Sequence, residues 1–341
     1  MRGVIMESAG VVRVEDRDDP RIIEPTDAVI RITTTCICGS DLWPYRGVVP
    51  VHHQVMGHEY LGVVEQIGSA VTTLHVGDHV VGSFCISDNT CEICRAGYQS
   101  RCVHGEFVSQ HIGTQAEKAR IPYADGTLVA MPGKPDADLI PSLMATSDVL
   151  GTGWFGAVAA GVGKGSSVAV VGDGAVGLMA VLAAKQLGAE RIIAMSRHPE
   201  RQQLAREYGA TDIVEERGDA GAERIKQMTG GLGVQCAVEA VGTEQSLMQA
   251  VDATRPGGHV GFVGVAHEGV ALPMDKMFAA EVHLFGGPAP VRRFLPELIQ
   301  LVWDRKINPG KVFDLTLPLE RAAEGYKAMD ERTAIKVLLT L

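Results

Sequence analysis

Two groups of residues in this sequence carry side chains of the kinds that bind metal. Cys91-x2-Cys94-x7-Cys102 sets three thiols close together in a polar, glycine-containing stretch, and Asp88 stands three residues ahead of the first. Three thiolates at this spacing suit a tetrahedral structural zinc, which needs one ligand more. Asp88 supplies it by spacing, with Cys85 as its competitor. The second group is split: Cys38-Gly39-Ser40-Asp41 follows an apolar run, and Gly57-His58-Glu59 opens another twenty residues on. Thiolate, imidazole and carboxylate are all zinc ligands, and a catalytic zinc takes three from the protein and leaves a position open. Taken singly, each residue has an ordinary reading: a small core thiol, a loop histidine, a surface charge.

A third pattern concerns phosphate. Gly172-Asp173-Gly174-Ala175-Val176-Gly177 matches G-x-G-x-x-G between an apolar strand and a helix. The first glycine makes the tight turn and the second admits a pyrophosphate. The third lets the helix pack closely, with its N-terminus toward the phosphates. The dinucleotide is read about 20 residues on, where a carboxylate would hold the ribose hydroxyls of NAD. Here that strand ends Met195-Ser196-Arg197-His198-Pro199. A hydroxyl followed by a guanidinium suits a 2′-phosphate, so NADP(H) is expected over NAD(H).

These groups need elements to hold them. Residues 1–150 read as short strands punctuated by glycine, among them 28–34, 58–67 and 79–84, which together suggest a barrel-like β domain. From about Gly165 strand and helix alternate: strands at 167–171, 191–195, 212–214, 235–240 and 259–263, helices at 175–187, 199–208, 222–229 and 244–254. That alternation means a parallel, doubly wound sheet. A helix at 291–305 and a β-rich tail follow, and the tail is expected to rejoin the first domain. The expected division is 1–150 with 288–341 as one domain and 151–287, the dinucleotide-binding one, inserted in it.

Composition bounds the partners. At 341 residues and 46% hydrophobic, the chain has material for two cores. A formal net charge of -10, with no run of Lys and Arg, argues against nucleic acid and anionic membranes. The sequence shows neither a basic leader followed by an apolar stretch nor an apolar run long enough to span a bilayer, so a cytoplasmic location is expected. Seven cysteines, five of them between Cys36 and Cys94, fit metal ligation in a reducing compartment better than disulfides.

Cys38 with Ser40, Gly57-His58-Glu59, the Cys91–Cys102 loop, the glycine turn and the interrupted domain order resemble the zinc-containing medium-chain alcohol dehydrogenases. The likeness extends over essentially the whole chain, including Val76-Gly77-Asp78-His79-Val80 and the closing Lys336-Val337. It implies a GroES-like β-barrel catalytic domain beside a Rossmann domain. It also implies that Cys38, His58 and a third ligand, Asp148, hold the catalytic zinc with Glu59 as an exchangeable ligand. An aspartate in the third place is similar to the bacterial NADP-dependent secondary alcohol dehydrogenases. The implied chemistry is Lewis-acid catalysis of hydride transfer between an alcohol and the nicotinamide, with Ser40 carrying the proton outward. Zinc brings the pKa of a bound hydroxyl-type ligand from about 16 to near 7. Members of the family are dimers or tetramers, so a homo-oligomer is expected.

The sequence departs from the family pattern twice: Leu42-Trp43-Pro44 follows the Ser-Asp pair where many members have a relay histidine, and Asp88 stands for a leading cysteine. Trp43, Phe84 and Trp154 favour an apolar or aromatic substrate over a sugar. Polyol and threonine dehydrogenases of the same family share these ligands. A non-catalytic NADP-binding redox sensor would have lost them, and a zinc-free quinone reductase would need neither cluster.

Overall fold

A computed structural model describes residues 1–266 and 269–341. Its strands, in chain order, are β1 Arg2–Ser8, β2 Val11–Asp16, β3 Ala28–Ile37, β4 Gln54–Val55, β5 Tyr60–Ile67, β6 His79–Gly82, β7 Lys118–Ile121, β8 Leu128–Ala130, β9 Ser167–Val171, β10 Arg191–Met195, β11 Asp212–Val214, β12 Val234–Glu239, β13 Thr254–Phe262, β14 His283–Gly286, β15 Phe313–Pro318 and β16 Lys336–Thr340. The chain divides into two compact units, Met1–Gly151 with Pro290–Leu341, and Thr152–Ala289.

The first unit is the GroES-like one. One sheet runs β15-β16-β3-β5-β6-β8, with β7 also pairing β3, and a smaller sheet runs β2-β1-β4. The long β3 exposes Arg31 and, in part, Thr33 at its middle and is buried on both faces toward its ends. Ile30, Ile32, Tyr60, Val80 and Leu128 form one apolar core, and Val4, Ile37, Tyr326, Val337 and Leu339 form another. The register decides what meets at the end of β3. Thr35 lies opposite Tyr60 on antiparallel β5, and Ile37 opposite Val337 on antiparallel β16. Residues just beyond the end of β3 therefore meet those just before β5 and at the start of β16.

The second unit is a six-stranded parallel sheet in the order β11-β10-β9-β12-β13-β14, with helices between successive strands. This is the doubly wound Rossmann order, whose reversal point lies between β9 and β12. Its core is built from Ala169, Val171, Ile193, Val214, Ile225, Ala237 and Val260. Ala175–Gln186, the helix after β9, is buried along most of its length.

Some local expectations shift. The strand expected from residue 58 starts at Tyr60, because the Tyr60 N–H donates to the Ser147 side chain at 3.1 Å and leaves His58 and Glu59 ahead of the ladder. The strand expected to reach residue 84 stops at Gly82, where its pairing with Leu128 ends. Residues 1–150 also hold short helices, such as Ile140–Thr146, which the β reading of that stretch did not separate. The sheet gains a sixth strand, β14, whose four residues His-Leu-Phe-Gly are too short for periodicity to mark.

Candidate metal centres and dinucleotide turn

Cys38 follows β3, and His58 and Glu59 precede β5, so the β3–β5 pairing brings them together. Asp148 comes from the break between helices Ile140–Thr146 and Val149–Ala159. Its neighbour fixes that break: the Ser147 hydroxyl donates to the Gly82 carbonyl at 2.6 Å while accepting from Tyr60 N–H. One ligand atom from each of Cys38, His58, Glu59 and Asp148 lies within 4.8 Å of the others, and all four residues are buried. Asp148 Oδ2 is 3.3 Å from His58 Nε2 and 3.7 Å from Cys38 Sγ. Burial works against a charged ring, yet Asp41, Cys38 and Asp148 raise the His58 imidazole well above its ordinary value. A thiol, two carboxyls and an imidazole enclosed together favour a cation, and the buried Glu59 Oε2 has no hydrogen-bond partner. These residues fit a zinc ion.

Two contacts of this centre are not foreseen from the sequence. Glu59 Oε1 is held by the Lys336 ammonium at 2.7 Å, and both side chains are essentially inaccessible. Lys336 also donates to the Ile37 carbonyl at 3.2 Å. On the other side of the histidine, Asp41 Oδ1 faces His58 Nδ1 at 3.4 Å. Ser40 sits partly exposed on the turn between Cys38 and Asp41. The Phe84 ring meets the His58 ring edge-on, centroids 6.2 Å apart.

The loop cluster also assembles. Ligand atoms of Asp88, Cys91, Cys94 and Cys102 lie within 4.8 Å of one another. Cys91 Sγ and Cys102 Sγ are 3.9 Å apart, Cys94 N–H points at Cys91 Sγ, and Asp88 N–H points at Cys102 Sγ. Backbone N–H groups aimed at sulfur favour thiolates, so this cluster too fits zinc. Cys85 is not in it: that thiol is buried where Asp148 and His58 act on it, and its backbone bridges Phe107. Although burial opposes it, the N–H groups of Cys91 and Thr90 and the His104 ring hold the Asp88 carboxyl well below its ordinary value. His104, 2.7 Å from Asp88 Oδ2, is a neighbour that sequence reasoning did not single out.

In the second unit, Gly172 adopts φ +122, and a Cβ on Gly177 would stand 2.0 Å from the Gly172 carbonyl oxygen. Close helix packing therefore requires glycine at 177. A Cβ on Gly174 would meet nothing within 4 Å. The space before the helix that starts at Ala175 and Val176 is open, which fits a pyrophosphate approaching the backbone. At the end of β10, Ser196 is buried and its hydroxyl donates to Asp173 Oδ2 at 2.7 Å, while Arg201 reaches Asp173 Oδ1 at 3.4 Å. Arg197 is exposed. A carboxylate is thus present beside Ser196, carried by the turn and not by the strand.

Comparison with known proteins agrees with this arrangement. The alcohol dehydrogenase GroES-like domain family matches residues 24–133, and the zinc-binding dehydrogenase family matches residues 175–304. The zinc-type alcohol dehydrogenase B of Aspergillus flavus is 34% identical over 99% of this chain and 81% of its own length. Among solved structures, the alcohol dehydrogenase TADH of Thermus sp. ATN1 superimposes with a TM-score of 0.92 at 34% identity, covering 100% of this chain and 99% of that one. A Sinorhizobium meliloti chain solved bound to NADP has a TM-score of 0.85 at 25% identity, covering 100% and 99%. Among the described residues no helix is long and apolar enough to cross a membrane. With both family regions matched and a relative of this identity spanning nearly the whole chain, the protein belongs to the zinc-dependent medium-chain alcohol dehydrogenases, a family of oxidoreductases.

Proposed function

We propose that this protein interconverts an alcohol and its aldehyde or ketone, with zinc at the Cys38 centre and NADP(H) favoured over NAD(H). The observation that carries the reading is the convergence of Cys38, His58 and Asp148, with Glu59 beside them, in one buried cluster. Zinc bound there supplies Lewis acidity to the substrate oxygen. A nicotinamide held by the glycine turn would accept the hydride of the alcohol carbon, leaving the hydroxyl proton to the protein's own residues. Ser40 passes the proton toward solvent, a role its partly exposed place next to Cys38 permits. Glu59, with one oxygen on Lys336 and the other unpartnered, serves as the exchangeable ligand. Asp88, Cys91, Cys94 and Cys102 hold a structural zinc.

Gly172, Gly174, Ala175, Val176 and Gly177 would hold the cofactor's pyrophosphate, through the open approach at Gly174. The NADP preference rests on Ser196 and Arg197 following β10 where the strand carries no carboxylate of its own. Phe84 beside His58 favours an apolar alcohol over a polyol. The formal net charge of -10 argues against affinity for nucleic acid or anionic membranes, and the family likeness is the ground for a homo-oligomer, dimer or tetramer.

Metal content and initial rates test this, measured with NADPH and NADH on a panel of simple aldehydes and ketones, with sorbitol and threonine in the oxidative direction. About two zincs per chain, faster turnover with NADPH, and near-complete loss of activity in Cys38→Ala are expected. Full activity in Cys38→Ala would sink the zinc mechanism. A preference for sorbitol or threonine would shift the substrate class within the family.

A further inference from the structure

A chain of buried polar side chains leads away from His58 and is used by nothing described so far. Asp41 Oδ2 accepts from the Cys38 N–H at 2.9 Å and from Gln115 Nε2 at 3.1 Å. Gln115 Nε2 also donates to the Cys36 carbonyl at 3.0 Å, and Gln115 Oε1 accepts from the Tyr326 hydroxyl at 2.9 Å. Gln115 and Tyr326 are both wholly inaccessible, and Asp41 is 4% exposed. The donor pattern permits one orientation of the amide, because the Cys36 carbonyl and the Asp41 carboxylate can only accept, while Tyr326 brings a hydroxyl able to donate.

The Gln115 backbone is fixed independently of this chain. Its carbonyl accepts from Val4 N–H at 2.8 Å, and its own N–H donates to the Met56 carbonyl at 3.0 Å. It also packs against the residue just before the histidine. A Cβ on Gly57 would come within 2.4 Å of Gln115 N, and Gly57 holds φ +94, so this position needs glycine twice over. The inward-facing amide is therefore not required to hold this segment in place. Its partners are the two groups flanking the metal cluster, the Cys36–Cys38 backbone and the Asp41 carboxylate.

We propose that Gln115 and Tyr326 are positioning residues for the metal ligand His58: Tyr326 orients the Gln115 amide, and the amide aims Asp41 at His58 Nδ1. Asp41 Oδ1 stands 3.4 Å from Nδ1, which is buried and makes no hydrogen bond, so drawing that carboxylate onto Nδ1 would place the imidazole proton there and turn the Nε2 lone pair to Cys38 and Asp148. Partners of this kind orient a ligand and raise its basicity, and losing one typically costs about 10–100-fold in metal affinity or activity. Tyr326 lies 211 residues from Gln115 in sequence. The C-terminal segment that returns to the first unit thus supplies the outer end of the network.

This inference rests on the zinc reading of the Cys38 centre, and its test separates the two. Zinc affinity at each of the two sites is measured by chelator competition on the full chain for the unsubstituted protein, Gln115→Leu and Tyr326→Phe. The cobalt(II)-substituted forms are then compared by visible absorption. Gln115→Leu is expected to weaken the Cys38 site about tenfold and to shift its cobalt bands, leaving the Asp88–Cys102 site unchanged. Tyr326→Phe, which removes only the hydroxyl, should move both readouts in the same direction by less. Unaltered affinity and spectrum in Tyr326→Phe and in folded Gln115→Leu would overturn the positioning role and leave the zinc reading intact. Uptake of metal by the loop cluster alone in the unsubstituted protein would overturn both.

Discussion

Lys336 offers a demanding test, because the centre it supports should lose stability by different amounts with and without metal. Its ammonium is buried, 2.7 Å from Glu59 Oε1, and burial alone would lower its pKa. Cys36, Glu59 and Cys38 overcome that and raise it, so the group stays charged. Lys336→Met keeps the chain length and apolar stem but leaves Glu59 without its partner. Removing one member of a buried pair costs about 3–5 kcal/mol, because the remaining charge stays desolvated. For a domain of this size a change of ~1 kcal/mol moves the thermal midpoint by roughly 2–4 °C, so metal-free Lys336→Met should melt about 6–20 °C lower. Zinc changes the balance, since a cation in the cluster replaces the lost counter-charge and no longer faces the ammonium. The zinc-loaded variant should therefore lose less. By linkage, if zinc offsets as little as ~1.4 kcal/mol of the loss, the variant binds zinc about tenfold more tightly than the unsubstituted protein. Calorimetry on metal-free and zinc-loaded protein, with chelator competition, reads both quantities. Equal destabilisation with and without zinc, or weaker zinc binding, would refute the idea that Lys336 and the metal compete for Glu59.

Further outcomes follow from the second unit. Gly177→Ala forces a Cβ to 2.0 Å from the Gly172 carbonyl oxygen, an overpacking that costs about 1–3 kcal/mol. It should raise the KM for the dinucleotide while zinc content stays constant, and an unchanged KM would mean the turn does not meet the cofactor. Asp173→Asn removes the negative charge beside Ser196 and Arg201. The ratio of kcat/KM for NADPH to that for NADH should rise, roughly tenfold if the carboxylate opposes a 2′-phosphate by about 1.4 kcal/mol. A constant ratio would place Asp173 away from the adenosine ribose.

The difference between what was legible in the sequence and what was not is one of chain distance. The glycine turn is local: tight turn, open approach and close packing are needs of six consecutive residues, so they leave a motif, and the alternation that signals a doubly wound sheet is local as well. The Asp88–Cys102 cluster is likewise confined to one loop. His58 could be singled out because a Gly-His-Glu run ahead of an apolar strand is unusual. Asp148 has no such mark in the sequence, and its candidacy came from family resemblance. Its place in the structure depends on Ser147 gripping both Tyr60 and Gly82. Asp173 was read only as a variable position of the glycine motif, because its contact with Ser196 appears once β9 and β10 pair in parallel.

The supports of the cluster were harder still to see. Lys336 reaches Glu59 across 277 residues, and Gln115 reaches Asp41 across 74. In the sequence, Lys336 belongs to the closing strand of the family likeness with nothing to mark its partner, while Gln115 sits in a stretch with no periodicity. Lys336 is buried by the register of β16 against β3, and Gln115 by backbone pairing with Val4 and Met56; no short-range pattern encodes either. Ligand types are fixed by the chemistry of the ion and recur in recognisable runs. The groups that aim those ligands are fixed by the packing around them, and any residue with the right donor and acceptor geometry can serve. For the Cys38 centre, the residues that tune metal affinity should therefore be sought among the buried groups packed around the ligands, such as Lys336, Gln115 and Tyr326, as much as in the ligand motifs themselves.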